Sequence, residues 1–493
     1  LIFLFIALPL IVAGLLPLIG KISKKVLPDI LANGVFLALL VYAVVVGKSL
    51  ISGGPVLQQL IWLGEPVNIH LALDGFSLLM LVAISLVGLC VGLFSIDYME
   101  HYGDKATYYA LLLIMLAGMN GLVLVTDLFQ VYLFLEVAAI ASYSLVAYGL
   151  GHDELEASFK YLMLSAVASA LIVVSIAVIY GLTGSLGFEA VAAGLRSLEA
   201  RYAVGICAAL FIFGFGLKAA LVPFHAWLPD AHPSAPAPIS AVLSGLLIKV
   251  SGVYALTRIL FSVLGLTPAL STILMYLGIV SMVVAAFLAL GQRDIKRMLA
   301  YSSISQVGYI ILGIGLGTPL GILGALFHLF NHALAKSLLF LNSGSIQMST
   351  GTRNLDEMGG LAKRMPWTAG TSIVGSLSIA GVPPLNGFWS KLIIILALVQ
   401  ARHWTFAVIA VLASVLTLWY YLLIQRRAFF GCLNDRWREV REAPFWMTLS
   451  TVILSLICIA VGIFFSLTIK SWIAPARDAL TAGVRTLLGA GGM

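Results

Sequence analysis

The chain has 493 residues, of which only 10% are charged and 61% hydrophobic, with a formal net charge of +7 and a mean hydropathy of +1.07. Globular domains average about 45–50% apolar and about 25% charged residues, so this composition excludes a water-soluble fold, which could not cover its own surface. The basic residues are divided among short separate loops, which points to membrane topology and anionic lipid rather than to nucleic acid.

Apolar runs of about 20 residues, long enough to cross a hydrocarbon core of roughly 30 Å, recur along almost the whole chain. They give spans at 1–20, 30–50, 75–97, 107–126, 128–150, 158–182, 203–228, 238–260, 268–290, 297–316, 320–345, 367–397, 405–430 and 447–470. The expected fold is therefore an all-α polytopic membrane protein of about fourteen helices. The first stretch has neither a basic n-region nor a small-residue cleavage site, and is expected to stay as a helix. Loops after odd-numbered spans carry Lys21, Lys24, Lys25, Arg293, Lys296, Arg297, Arg353, Lys363, Arg364 and the Arg426 to Arg441 stretch. The positive-inside rule puts these loops in the cytoplasm and both termini outside the cell's inner (plasma) membrane.

Cys90, Cys207, Cys432 and Cys458 form no C-x-x-C pair, so neither a disulfide framework nor an iron–sulfur cofactor is supported. The chain also lacks a Walker loop, a G-x-G-x-x-G opening a helix and an H-E-x-x-H, the usual marks of nucleotide-driven transport and metal hydrolysis.

Ionisable residues inside the spans are the informative ones. Glu136 lies in LFQVYLFLEVAAIASYSLVAYGL, otherwise free of ionisable groups, where a charge costs about 2.5–3.5 kcal/mol even on the lenient insertion scale. Lys218, in FIFGFGLKAALVPFHAWLPDAHP, precedes a break at Pro223, and Lys249, in SGLLIKVSGVYAL, is again mid-span. The bland alternatives are an ion pair that only fixes packing and lysines that snorkel to a surface. A lysine near a carboxylate could instead hold or release its proton as the two move relative to each other. His225, Asp230 and His232 follow Pro223 and suit a cytoplasmic mouth, although for Asp230 and His232 a solvated loop is the simpler expectation.

The eleventh span carries His328, His332 and Lys336 in FHLFNHALAKSLLF. Residues four apart share a face, so the three make one polar stripe along about 12 Å of rise. A single buried histidine is ordinarily hydrogen-bonded core; two histidines and a lysine on one face suit a proton relay better. No third ligand at suitable spacing supports a metal. Lys391 follows SIAGVPPLNGFWS, where Pro383, Pro384 and Gly387 should interrupt the twelfth span. Freed carbonyls at such a break need water or protein partners, which favours a hydrated cavity over a mere bend.

An internal repeat is visible at short matches. Asp127 opens a span as Asp294 does, Lys160 in FKYLMLS resembles Lys336 in AKSLLFL, and Lys218 in GFGLK resembles Lys391 in GFWSK, at offsets of 167, 176 and 173. Duplication of a unit of about five helices would invert the second copy, the pattern by which many ion-coupled carriers build a path at the midplane. The expected segments are 1–106 (helices 1–3), 107–260 (helices 4–8), 268–430 (helices 9–13) and 447–493 (helix 14 and a tail).

GLKAALVPFHAWLPDAHPSAPAPISAVLSGLLIKVSGVYAL, DIKRMLAYSSISQVGYIILG and AGVPPLNGFWSK resemble the antiporter-like subunits shared by respiratory complex I, membrane-bound nickel–iron hydrogenases and Mrp-type cation/proton antiporters. The similarity runs over roughly residues 70–430. FLEVAAIASYSLVAYG and EASFKYLMLSAVASALIVVSIAVIYGLTGSLG look most like the D-type member of Mrp antiporters and its hydrogenase counterparts, whereas HAWLPDAHPSAP looks more like the hydrogenase and complex I branches. The resemblance implies fourteen helices, with helices 4–8 and 9–13 as inverted repeats and helices 7 and 12 broken. It also implies roles: Glu136 and Lys218 as an ion pair, Lys249 as the central lysine, His328, His332 and Lys336 as the relay, and Lys391 near the external exit. Some relatives carry glutamate at the last position. The largest add a long lateral helix after the last span, a type that the roughly twenty residues following that span here disfavour.

Four functions stay open at this point. The first is a proton-translocating subunit of a redox-driven complex in which a neighbouring protein performs the oxidoreduction. The second is a subunit of a multisubunit Na+/H+ antiporter without redox chemistry. The third is a self-contained permease, and the fourth a membrane scaffold that keeps its charges without pumping. The first two imply neighbouring membrane subunits, including further antiporter-like ones, with H+ or Na+ as the transported ion and lipid around them.

Overall fold

The computed structural model describes residues 2–60, 69–197, 201–433 and 435–488, so Leu1 and residues 489–493 of the expected tail lie outside the described residues. Helices α1 (Leu4–Ile22) and α2 (Val26–Gly53) lead into a hairpin of β1 (Val56–Leu60) and β2 (Ile69–Leu73), paired antiparallel with Val56 opposite Leu73. Then come α3 (Gly75–Tyr98), α4 (Lys105–Leu124), α5 (Leu128–Val146), α6 (His152–Thr183), α7 (Phe188–Ser197), α8 (Arg201–Lys218) and α9 (Leu228–Ser234). One continuous helical run follows, from α10 (Ala237–Val242) through a wide-turned π segment (Leu243–Tyr254) and α11 (Ala255–Ile259) to Leu264. The remainder is α12 (Pro268–Leu290), α13 (Ile295–Gly315), α14 (Pro319–Thr350), α15 (Pro366–Ala380), α16 (Asn386–Gln400), α17 (Trp404–Ile424), α18 (Phe445–Ile463), α19 (Phe465–Thr468) and α20 (Ala474–Leu488).

In hydrocarbon every backbone polar group must be satisfied within the segment, which is why apolar runs of this length become helices. Their starts are written in the sequence. Asp74, Asp104, Asp127 and Asp294 each accept hydrogen bonds from backbone amides of the first turn, and Thr267 and Thr318 do the same before Pro268 and Pro319. Glycine lets the second-half helices approach closely: a Cβ on Gly308 of α13 would lie 2.6 Å from the Gly278 carbonyl oxygen of α12.

Among the described residues twelve helices are long and apolar enough to cross a membrane, so the chain is a polytopic membrane protein. The other two expected spans, 203–228 and 367–397, are each split. The first is interrupted after Lys218, where Ala220 has φ 56° and the Val222–Pro223 bond is cis; the second is interrupted after Ala380, where Gly381 has φ 86° and the Pro383–Pro384 bond is cis. The expected breaks in helices 7 and 12 thus fall where proline removes a donor and a left-handed residue turns the chain.

The loops after odd-numbered spans form one ion-paired end: Lys25 meets Glu100, Arg297 meets Asp230, Arg353 meets Asp294, and Arg293 and Arg427 share Asp356. The hairpin, α7 and the N-terminus of α3 lie at the opposite end, where Thr126 donates to the His70 carbonyl and Phe188 to the Thr126 carbonyl.

The two halves share more than their sequence matches. Asp127 bridges antiparallel to Gly187, and Asp294 to Asn354, an offset of 167 for both partners. α6 and α14 are both 32 residues long and begin at that same offset. At that offset Lys336 of α14 stands against Ser169 of α6, whereas Lys160 lies nearer the start of its helix, at the ion-paired end.

Candidate functional site

Lys218 is the last residue of α8, and the break after it leaves the side chain facing α5 and α6. Its Nζ donates to Ser165 Oγ at 2.6 Å and lies 3.4 Å from Glu136 Oε1, which also accepts from the Ser169 hydroxyl. Ser165 and Ser169 are one turn apart on α6 and so present both hydroxyls to the pair. The Lys218 side chain is 3% exposed and that of Glu136 25%. The carboxylate sits on the outer face of α5 beside exposed Leu133 and Ile140.

Lys249 is fully buried in the π segment and donates to the Ser244 carbonyl oxygen. A π turn brings the carbonyl five residues back onto the lysine's own face, which explains the partner. On α14, Lys336 donates to the Leu299 carbonyl oxygen and to the Tyr421 hydroxyl, both at 2.9 Å. That hydroxyl lies 2.9 Å from Ser302 Oγ, which in turn accepts from Tyr420. His328 Nδ1 is 3.0 Å from Ser390 Oγ, and its Nε2 is 3.2 Å from Gln306 Oε1. His332 stacks with His328 at a centroid distance of 6.1 Å, but among the described residues neither of its ring nitrogens has a hydrogen-bond partner. The stripe is thus one face of α14, as its spacing requires, while its hydrogen bonds run sideways to α13, α16 and α17. Lys391 on α16 reaches back across the break, its Nζ 3.5 Å from the Ala380 carbonyl oxygen and 4.7 Å from the Tyr309 ring centroid.

Asp230 behaves as a surface residue, bridging Lys160 at 3.5 Å and Arg297 at 3.3 Å, and Lys160 also holds Glu156 at 2.8 Å. His225 is half-buried beside Tyr301. The solvated-loop expectation fails for His232, because the segment winds into α9 and turns that ring inward. His232 is fully buried, stacks on Phe340 at 4.5 Å and faces the charges of Lys336, Lys296 and Lys249.

Sequence reading did not single out Ser165, Ser169, Gln306, Ser390, Ser302 or Tyr421. The four-residue spacing of the two α6 serines was the available signal; the rest depend on contacts between helices distant in sequence. It also missed Asp74 and Arg258, which pair at 2.5 Å in the wall of a cavity of about 830 Å³ at the end opposite the basic loops. Burial, the largest influence on Asp74, raises its carboxyl pKa, but the Arg258 guanidinium and hydrogen bonds from Arg258 and Ser77 outweigh it and hold the group below the usual carboxylate value.

Among the described residues no group of three or more His, Cys, Asp or Glu is placed to hold a metal, and no carboxylate lies within 4.0 Å of Lys249, Lys336 or Lys391. The arrangement among the described residues is a row of buried lysines and histidines with one acidic partner, side chains whose chemistry is the uptake and release of protons.

Residues 125–417 match the family described as NADH:quinone oxidoreductase/Mrp antiporter, TM, and residues 63–109 match the N-terminus of chain 5 of NADH-ubiquinone oxidoreductase (complex I). The N-type member of the NADH-quinone oxidoreductase of Desulforudis audaxviator is 33% identical over 447 residues, covering 90% of this chain and 89% of the relative. The D-type member of the Na(+)/H(+) antiporter of Alkalihalophilus pseudofirmus is 35% identical over 429 residues, covering 86% of each. A chain in the structure of the Mrp complex from Dietzia superposes with a TM-score of 0.89 at 28% identity, covering 98% of this chain and 99% of the other.

Proposed function

The chain belongs to the NADH:quinone oxidoreductase/Mrp antiporter membrane family, and from that premise we propose that it translocates protons as one subunit of a larger membrane complex. It is an antiporter-like subunit. The observation that carries the reading is the row of Lys218, Lys249, Lys336 and Lys391, each at most 4% exposed, with, among the described residues, one carboxylate within 4.0 Å of it, that of Glu136 beside Lys218. Each buried charge costs about 2.5–3.5 kcal/mol on the insertion scale, and a scaffold would gain nothing in return. In this reading Glu136 and Lys218 form the gating pair, Lys249 is the central site, His328, His332 and Lys336 are the relay, and Lys391 is the external exit. His225, His232, Asp230 and Lys160 line the cytoplasmic approach.

Segment 1–106 is a flank, 107–260 and 268–430 are two inverted copies, and 447–493 closes the bundle, with both termini outside the plasma membrane. The shared offset of 167, with its two bridges at opposite ends of the helices, supports the duplication. Neighbouring membrane subunits, further antiporter-like ones among them, cover the outer face of α5: a carboxylate 25% exposed would otherwise meet lipid. We assign the complex to the redox-driven class on the NADH-quinone relative, with H+ as the ion. The second reading, an Mrp-type antiporter without redox chemistry and with Na+ as the counter-ion, is favoured by the Na(+)/H(+) antiporter relative. Purification of the native complex decides: iron, nickel or flavin in stoichiometric amount supports the first, and Na+-dependent proton flux without them supports the second. Absence of any proton flux from sealed vesicles overturns both.

A further inference from the structure

The hydrogen bonds around His328 permit only one arrangement of protons when the ring is neutral. The Thr417 hydroxyl donates to the Ala413 carbonyl oxygen at 2.7 Å, so its oxygen is left to accept, and it does so from Gln306 Nε2 at 3.4 Å. Gln306 therefore turns its carbonyl oxygen toward His328, 3.2 Å from Nε2. That oxygen only accepts, so the neutral ring carries its proton on Nε2 and presents a bare lone pair at Nδ1. The group 3.0 Å from Nδ1 is the Ser390 hydroxyl, whose other acceptor is the Gly387 carbonyl oxygen at 3.1 Å. Ser390 has one proton for two acceptors.

We infer that Ser390 is a positioning residue that switches its hydroxyl between His328 and Gly387 as His328 loses and gains a proton. With neutral His328, Ser390 donates to Nδ1. When a proton arrives at Nδ1, the resulting N–H donates to Ser390 Oγ, and the serine proton turns to the Gly387 carbonyl. No atom changes hands beyond the one proton that His328 gains and later gives up. Gly387 lies in the first turn of α16, and its carbonyl is the one an α-helix assigns to the backbone N–H of Lys391. The Gly387 position is closely held: a Cβ there would lie 1.8 Å from the Ser378 carbonyl oxygen. A rearrangement of its hydrogen bonds thus acts on the turn from which Lys391 springs. The charged groups facing His328 are Lys391 from α16 and Lys249 from the π segment; the titratable rings beside it are His332 on its own helix and Tyr309 from α13.

The inference rests on proton translocation through this chain, and the test separates the two. The native complex carrying Ser390→Ala or Ser390→Thr is reconstituted in liposomes, and proton flux is followed as a function of pH. Hydrogen bonds to a charged partner are the stronger, so losing Ser390 disfavours the imidazolium more than the imidazole. Ser390→Ala should lose about tenfold in flux with a pH profile displaced toward acid, while Ser390→Thr, which keeps the hydroxyl, retains the wild-type profile. An unshifted profile in Ser390→Ala, whatever its rate, or a Ser390→Thr variant displaced like Ser390→Ala, overturns the switch. Wild-type flux in Glu136→Ala and Lys218→Ala would instead overturn the translocation reading beneath it.

Discussion

Lys218 holds Ser165 at 2.6 Å more closely than it holds Glu136, at 3.4 Å. Ser165 is the ammonium's nearer partner and Ser169 donates to the carboxylate, so α6 holds both charges and the ion pair itself is the looser contact. Removing either charge strands the other in a poorly hydrated site, a change that costs about 3–5 kcal/mol where pairs are buried. Glu136→Ala and Lys218→Ala should therefore strongly reduce proton flux in sealed vesicles while the complex still assembles. Glu136→Asp should be milder. Assembled alanine variants that pump at the wild-type rate would show these charges to be structural.

Tyr421 gives a separate handle on the relay. Its hydroxyl is one of two acceptors for the Lys336 ammonium, and a hydrogen bond to a charged group is worth about 1.5–3 kcal/mol. Tyr421→Phe preserves the ring that lies 5.6 Å beneath the ammonium but removes that bond, so flux should fall by about tenfold or more with unchanged assembly. Flux equal to wild type would leave the Leu299 carbonyl as the sufficient partner.

Span positions were legible because hydrocarbon imposes one length and one kind of secondary structure, and the two breaks were legible at Pro223 and Pro383–Gly387 because proline cannot continue a hydrogen-bonded helix. The face shared by His328, His332 and Lys336 followed from helical period alone. The partners did not, because Gln306, Ser390 and Tyr421 come from three other helices and are ordinary polar residues in sequence. His232 was misjudged for a related reason: the residues after Pro223 read as a solvated loop, and nothing local says that a short helix folds its ring against Phe340. The three short repeat matches have offsets of 167, 176 and 173, and only the first recurs in the helix starts and bridges, because short strings in a chain rich in Leu, Ala and Ser carry less register information than the Asp caps at 127 and 294.

Native cysteines make the topology testable without engineering. Cys90, Cys207 and Cys458 are buried, whereas Cys432 is exposed in the basic stretch between Arg426 and Arg441. If that stretch is cytoplasmic, a membrane-impermeant maleimide should label Cys432 in inverted vesicles and leave intact cells unlabelled. Labelling of intact cells would reverse the orientation.

The Asp74–Arg258 pair should support the fold rather than transport. Its partners include Tyr254, whose hydroxyl accepts from Arg258 Nε at 2.9 Å and donates to the Val123 carbonyl oxygen at 2.7 Å, so the pair ties the N-terminus of α3 to the end of the π segment and to α4. The carboxyl is held below its usual value, so its stabilisation is complete above about pH 4, the ordinary aspartate range, and fades only as pH falls further through the lowered value. Asp74→Asn should lower the thermal unfolding midpoint at neutral pH, and the gap to wild type should narrow on strong acidification. A gap that widens toward acid would contradict this account.

Lys391 is the most exacting case. Its Nζ lies between the Ala380 carbonyl and the Tyr309 ring, and its Cδ is packed so near the chain that a Cβ on Gly381 would come within 3.1 Å of it. A longer, planar guanidinium has little room there, and it stays charged at any accessible pH, so it can occupy an exit but cannot release a proton from it. Lys391→Ala should block release, and Lys391→Arg should fail to restore it. Lys391→Glu should restore part of the flux because a carboxyl can titrate. The measurement is proton flux in reconstituted complex for all three variants, with assembly checked in parallel. Equal activity of Lys391→Ala, Lys391→Arg and wild type would remove the exit role and leave Lys391 as a residue that braces the break between α15 and α16.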